Sequence, residues 1–103
     1  GLDVFVVHAG EGAELMAWKV AEDLRDRGHS VLLGAGGSFK SQMKKADASG
    51  ARLAVIVGDD EAAAATVAIK TLREGGEQIV VPVADLVLRF AALNVSKDEY
   101  GCL

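Results

Sequence analysis

Cysteine and proline are each almost absent. The single cysteine, Cys102, stands one residue from the end of the 103-residue sequence, and the single proline is Pro82. One thiol excludes an internal disulfide, which fits a reducing compartment and makes a cytoplasmic location the expectation. Aromatic residues make up only 5%. No apolar run reaches the roughly 20 residues that a membrane-spanning helix needs. Gly1-Leu2-Asp3 passes straight into an apolar run with no basic region or cleavage site, so neither export nor a membrane partner is expected. An excess of positive charge is missing too, since 11 Lys and Arg against 15 Asp and Glu give −4. That excludes a general nucleic-acid coat, which is basic overall. Local contact stays open, because screening over about 8 Å lets one patch act apart from distant acids.

What is present is core material. Half of the residues are hydrophobic, and about a hundred residues is a common size for one independent core. Val4-Phe5-Val6-Val7 and Leu53-Ala54-Val55-Ile56-Val57 are continuously apolar, the pattern of strands buried on both faces. Between them, Ala13 to Arg27 carries Met16, Val20 and Leu24 at helical spacing beside Ala13 and Ala17, and Gly28 ends that helix. Ser30-Val31-Leu32-Leu33 is a short strand. Gly34-Ala35-Gly36-Gly37 then loops into a second helix, with Ser38 as N-cap and Phe39, Met43 and Ala46 on its inward face. Thr66 to Leu72 and Gln78 to Val83 read as strands joined by the hairpin-length Arg73-Glu74-Gly75-Gly76-Glu77, and Leu86, Phe90 and Leu93 mark a third helix. The β-α-β-α-β opening predicts parallel strands with right-handed crossovers. The hairpin, too short for a crossover of about a dozen residues, forces one antiparallel strand into the sheet. The class is therefore α/β.

Catalytic and metal-binding patterns are lacking. His8 at the end of the first strand and His29 in a helix-to-strand turn have no partner at ligand or nucleophile spacing and read as surface or loop histidines. Cys102 has no environment that would activate a thiolate. Gly34-Ala35-Gly36-Gly37-Ser38 fails the dinucleotide fingerprint because Phe39 stands at the last glycine position, and no G-K-[S/T] completes a phosphate loop. These glycines serve a tight strand-to-helix turn. No cofactor or metal is expected.

The distinctive stretch runs from Gly36 to Arg52, where Lys40, Lys44, Lys45 and Arg52 face a single acid, Asp47. An apolar strand and the acidic turn Gly58-Asp59-Asp60-Glu61 follow. Lys40 and Lys44, four residues apart, project together from the second helix. The order G-G-S-F-K-x-Q-x-K-x-A-D-x-x-G-A-R, A-V-I-V-G-D-D-E, T-V-A-I-K-T-L-R and G-E-Q, spread over Asp3 to Leu93, resembles the C-terminal anticodon-binding domain of histidyl-tRNA synthetase, in the class IIa group. The resemblance implies a three-layer α/β/α domain with three main helices and a five-stranded mixed sheet, order 2-1-3-4-5 with strand 4 antiparallel. The domain would span 3–93, and the tail 94–103 has no counterpart. Thr71 replaces a family acid, the following turn is longer by one residue, and Ala62 to Ala65 replaces a stretch that often holds Asn-Gly.

The resemblance also implies a partner and a site. The partner is the anticodon stem-loop of a tRNA, and Glu61 and Lys70 stand where related domains contact the anticodon. A carboxylate accepts both guanine donors, N1–H and N2–H, at once, which gives Glu61 a chemical purpose. Lys40 and Lys44 suit phosphates, and Ser38 with the free N–H groups of its helix start adds a neutral phosphate contact. The catalytic domain, with its ATP and histidine, would lie elsewhere in a parent histidine-tRNA ligase and contact this domain, across a homodimer in the family. Leu15 and Trp18 turn away from the core face of the first helix, which marks a docking surface for that domain. Two alternatives stay open. One is the equivalent domain of a threonyl-, prolyl- or glycyl-tRNA synthetase, or a paralogue without tRNA binding. The other is a flavodoxin-like domain for a small molecule or protein partner.

Overall fold

The continuously apolar runs become the centre of a sheet. In the computed structural model, which describes residues 1–73, 76–86 and 88, β1 (Val4–His8), β2 (Val31–Leu33), β3 (Leu53–Val57), β4 (Thr66–Thr71) and β5 (Gln78–Pro82) pair in the order β2-β1-β3-β4-β5. β1 runs parallel to β2 and β3, whereas β4 is antiparallel to both β3 and β5. The mixed sheet, its order and the one reversed strand agree with expectation. Helices α1 (Glu14–Asp26) and α2 (Phe39–Ala48) are the crossovers. A short α3 (Asp59–Ala64) stands where the sequence suggests only an acidic turn. Six residues are too few for a helical period to register. Val83–Asp85 form a 3-10 turn, and Leu86 beyond it is buried. The helix expected through Phe90 and Leu93, the tail 94–103 and Cys102 lie outside the described residues.

Alternation along the strands divides the core in two. Val4, Val6, Val55, Val57, Val67 and Ile69 meet Ala17, Val20, Ala21 and Leu24 of α1. Phe5, Val7, Ala54, Ile56 and Ala68 meet Ala46 of α2, with Met43 at the margin. The second layer is thin because four of its buried members are alanines: Ala46, Ala51, Ala54 and Ala68. Helix ends follow local chemistry. At the end of α1, His29 N donates to Leu24 O and Gly28 N to Arg25 O, with Gly28 at φ 93°, the paired bonds of a Schellman closure. Ser38 Oγ accepts from Ser41 N at 3.1 Å and caps α2 as expected. Ala65 closes α3 in the left-handed region, φ 55°, where glycine would be unstrained.

The inward face of α2 differs from expectation. Phe39 is 47% exposed, and Gln42, at 1%, takes the central buried position beside Ala46. The inward face is turned by about half a residue step, roughly 45°, because Gln42 satisfies backbone groups that an apolar residue would leave bare. Its Oε1 accepts from His8 N at 3.1 Å, and its Nε2 donates to His8 O at 2.6 Å and Gly37 O at 3.2 Å. β2 stops pairing at Gly34, whose N donates to Val6 O. The side-chain amide continues the ladder from there. Gly34 must be glycine, since a Cβ would sit 2.7 Å from Gln42 Oε1 and 2.9 Å from Val6 O. The histidines also depart from the surface reading. Both are buried, and His8 Nε2 lies 2.8 Å from Gly34 O because the β2–α2 loop closes over the end of β1.

Gln42→Leu strips the N–H and C=O of His8 of their partners while keeping side-chain bulk. The expected loss is about 2–6 kcal/mol, at 1–3 kcal/mol for each buried group left unsatisfied. Urea unfolding followed by circular dichroism measures it, and a change below about 0.5 kcal/mol, the size of an ordinary surface substitution, would show that the amide carries no such burden.

Candidate nucleic-acid interface

The helix crossovers sort the candidate residues to two ends of the sheet. α2 begins near the carboxyl end of β2 and returns toward the amino ends of the parallel strands. Ser38 and Lys40 therefore sit at one end of the helix, Lys44 one turn on. Lys40 and Lys44 are both exposed, as their spacing predicts. In β4, Val67 and Ile69 face α1 and Ala68 faces α2, so Lys70 emerges on the α2 side. There it shares with Lys44 a depression of about 460 Å³, walled by Met43, Asp47, Thr71, Leu72 and Gly76.

Arginine 73 sets the electrostatics of this depression. Arg73 Nη2 donates to Asp47 O at 2.6 Å and Nε to Ala51 O at 3.1 Å, so the guanidinium holds the last carbonyls of α2 and the loop after it. The same group lies 3.4 Å from Asp47 Oδ1. Asp47 is thus compensated by Arg73, and the amines of Lys44 and Lys70 are left as a local positive surplus. Neither Arg73 nor Gln42 figures among the residues chosen from sequence. A polar Gln at core spacing, four residues before Ala46, is the signal that was available for Gln42. For Arg73, which acts through a fold contact across 26 positions, the sequence offers none.

Beyond Ala68, the α2 side of β4 and β5 is uncovered among the described residues. Val80 pairs with Ala68 and is 63% exposed, and Lys70 pairs with Gln78. The result is an open, shallow platform of strand side chains bordered by lysines.

Glu61 lies elsewhere. It occupies the third position of α3, and its Oε1 accepts from Gly58 N at 2.8 Å. Glycine has no side chain to return the bond, so only half of a capping box is formed. In the β3–β4 register Ala54 pairs with Lys70, and Gly58 lies four residue steps further along, a span of about 13 Å. Glu61 therefore stands apart from Lys70 along the strands, on a helix whose Ala62 packs against the α1-side core, whereas Lys70 emerges on the α2 side. The carboxylate has about four lone-pair sites. The cap uses one, orients the group and leaves Oε2 without a partner among the described residues.

A model of the family described as "Anticodon binding domain" matches residues 3–93. The chain belongs to this anticodon-binding domain family. It is 58% identical over 87 residues to a histidine–tRNA ligase of Nitrosomonas eutropha, a match covering 84% of the chain and 21% of that protein. It is 60% identical over 98 residues to one of Aromatoleum aromaticum, covering 94% and 22%. Among solved structures, the apo histidyl-tRNA synthetase of S. aureus superposes with a TM-score of 0.78 at 31% identity, covering 87% of the chain and 23% of that structure. Within the anticodon-binding family the sequence thus goes with the histidyl enzymes. The chain spans about a fifth of the length of each of these relatives.

Glu61→Ala removes the bond to Gly58 N, and Glu61→Gln retains an acceptor there. Alanine should lower stability by about 0.5–1.5 kcal/mol, the net value of one hydrogen bond, and speed amide exchange at Gly58, with glutamine close to wild type. Equal exchange in the two variants would show that the cap is not formed in solution.

Proposed function

We propose that this domain docks the anticodon stem-loop of a tRNA, that for histidine, through the α2 side of its sheet and the start of α3, as one part of a histidyl-tRNA synthetase whose catalytic region aminoacylates the acceptor end. The observation that carries the reading is the convergence of Lys44 and Lys70 on one depression, beside an open strand platform, in a chain of net charge −4. Phosphates follow the α2 ridge, meeting Lys40 and Lys44, and the Ser38 hydroxyl still has a proton to donate after its oxygen has capped the helix. Lys70 meets the loop at the platform. Glu61 accepts from a guanine edge with a carboxylate already oriented by Gly58 N. ATP and histidine belong to the catalytic region; this domain needs no cofactor or metal of its own. The parent enzyme works in the cytoplasm.

Titration of purified tRNA species at two salt concentrations tests this. Lys40→Ala and Lys44→Ala should each flatten the salt dependence by about one unit across all tRNAs, whereas Glu61→Gln should cost about 1–3 kcal/mol in a way that depends on the anticodon. Lys70→Ala should weaken binding by a similar amount. If anticodon-swapped stem-loops bind alike before and after Glu61→Gln, the base-reading role is wrong.

The opposite layer supplies the second contact. Leu15 is 62% and Trp18 51% exposed on the outer side of α1, an apolar pair away from the lysines. This pair is the docking point for the catalytic region, within one subunit or across a homodimer. Trp18 is the only tryptophan, so its emission reports directly. The expected result is red-shifted, iodide-quenchable emission in this chain, turning blue-shifted and protected in a full-length protein. Protection already present in the isolated chain would make Trp18 ordinary core.

A further inference from the structure

A second cleft opens at the carboxyl end of β1, on the α1 side and away from the lysines. It measures about 570 Å³ and is lined by His8, Glu11, Glu14, Leu15 and Trp18, with the Gly34–Ala35 backbone opposite. Its chemistry is one-sided. Gly34 O can only accept, so His8 Nε2 carries the proton in their 2.8 Å bond. His8 is itself only 9% exposed, and its Nδ1 has no hydrogen-bond partner among the described residues. Glu11 and Glu14 add two exposed carboxylates, and no Lys or Arg is among the described residues of the lining.

An occupant must therefore bring hydrogen-bond donors, positive charge and a flat apolar body. Guanidinium meets all three demands: it forks onto carboxylates, has no acceptor, and stacks on an indole face. Phosphate is repelled by Glu11 and Glu14, which stand just before and at the first position of α1. Nucleic acid, polyanionic throughout, would have to bring its backbone up to the same acids. We infer that this cleft is a socket for an arginine side chain presented by the catalytic region of the parent protein, with Trp18 and Leu15 forming its apolar wall. The inference rests on the interdomain reading of Leu15 and Trp18 and gives that contact its partner chemistry. Roughly four-fifths of the relatives' length lies outside the chain and can provide the arginine.

The test titrates this chain with N-acetyl-arginine amide, with the neutral isostere N-acetyl-citrulline amide, and with guanosine monophosphate. Trp18 emission and the His8 ring resonances are the readouts. Arginine should perturb both saturably, with citrulline about tenfold weaker, the loss of one charge-assisted interaction. In the Glu11→Gln/Glu14→Gln double variant the preference for arginine should shrink to what stacking on Trp18 retains. If that variant unfolds by circular dichroism, Glu11→Gln alone, outside the helix, should show a reduced preference for arginine. Equal binding of citrulline and arginine to the unaltered chain, tighter binding of the nucleotide, or no saturable response overturns the socket. Affinity for tRNA should not fall in the double variant, since it removes only negative charge and leaves Lys40, Lys44 and Lys70 in place. A large loss of tRNA binding there would assign the cleft to the RNA surface and overturn the inference while leaving the proposed function standing. Arginine selectivity in a chain that binds no tRNA would do the reverse.

Discussion

One buried amide holds the site end of this domain together. Gln42 of α2 takes up the N–H and C=O of His8 where β2 has turned away, and it also donates to Gly37 in the loop that connects them. Three pieces of chain, the end of the central strand, the glycine loop and the helix that carries the lysines, meet at one planar group. A fully satisfied buried polar contact of this kind adds more to geometric definition than to net stability. It fixes the rotation of α2 about its own axis. The turn sends Gln42 inward and Phe39 outward, and with them sets the direction in which Lys40 and Lys44 leave the helix.

Much of this architecture is legible in the sequence, for identifiable reasons. Val4–Val7 and Leu53–Val57 are so uniformly apolar that only a two-sided burial suits them, and a hairpin-length gap after Arg73 leaves β4 no way to be parallel. Ser38 and Gly28 behave as their types dictate at helix ends. Legibility fails where a long-range bond outweighs periodicity. The face of α2 read from Phe39, Met43 and Ala46 is displaced because hydropathy treats Gln42 as a surface residue, and nothing local reveals that strand backbone 34 positions earlier is waiting for it. His8 is hidden for the same reason. At the candidate interface, the face of Lys70, opposite Val67 and Ile69, follows from strand alternation, whereas its meeting with Lys44 needs the fold. The distance between Lys70 and Glu61 needs the β3–β4 register, and Arg73 as the clamp on α2 needs the fold itself.

Charge is unevenly spread along the strands. Acids gather at the carboxyl ends of the parallel strands, where Glu11, Glu14, Asp59, Asp60 and Glu61 stand on two loops and two helix starts, held in part by the bond from Gly12 N to Asp59 Oδ1. Toward the amino ends Lys44, Arg52, Lys70 and Arg73 stand among the acids Asp3, Asp26 and Asp47. Helix starts favour acids, and α1 and α3 begin on them, whereas α2 begins with Lys40 and no acid in its first turn.

The alanines beneath α2 have a consequence for how such a surface changes over generations of substitution. Ala46, Ala54 and Ala68 let the helix lie close on the sheet, and close-packed interiors respond to even one added methylene. A valine in place of Ala68 would act as a shim, lifting the helix ridge relative to β4 and widening the gap between the Lys44 and Lys70 amines without touching either. The spacing of the cationic groups is thus adjustable from underneath. Variants that alter ligand spacing can then arise at hidden positions while every solvent-facing residue stays the same.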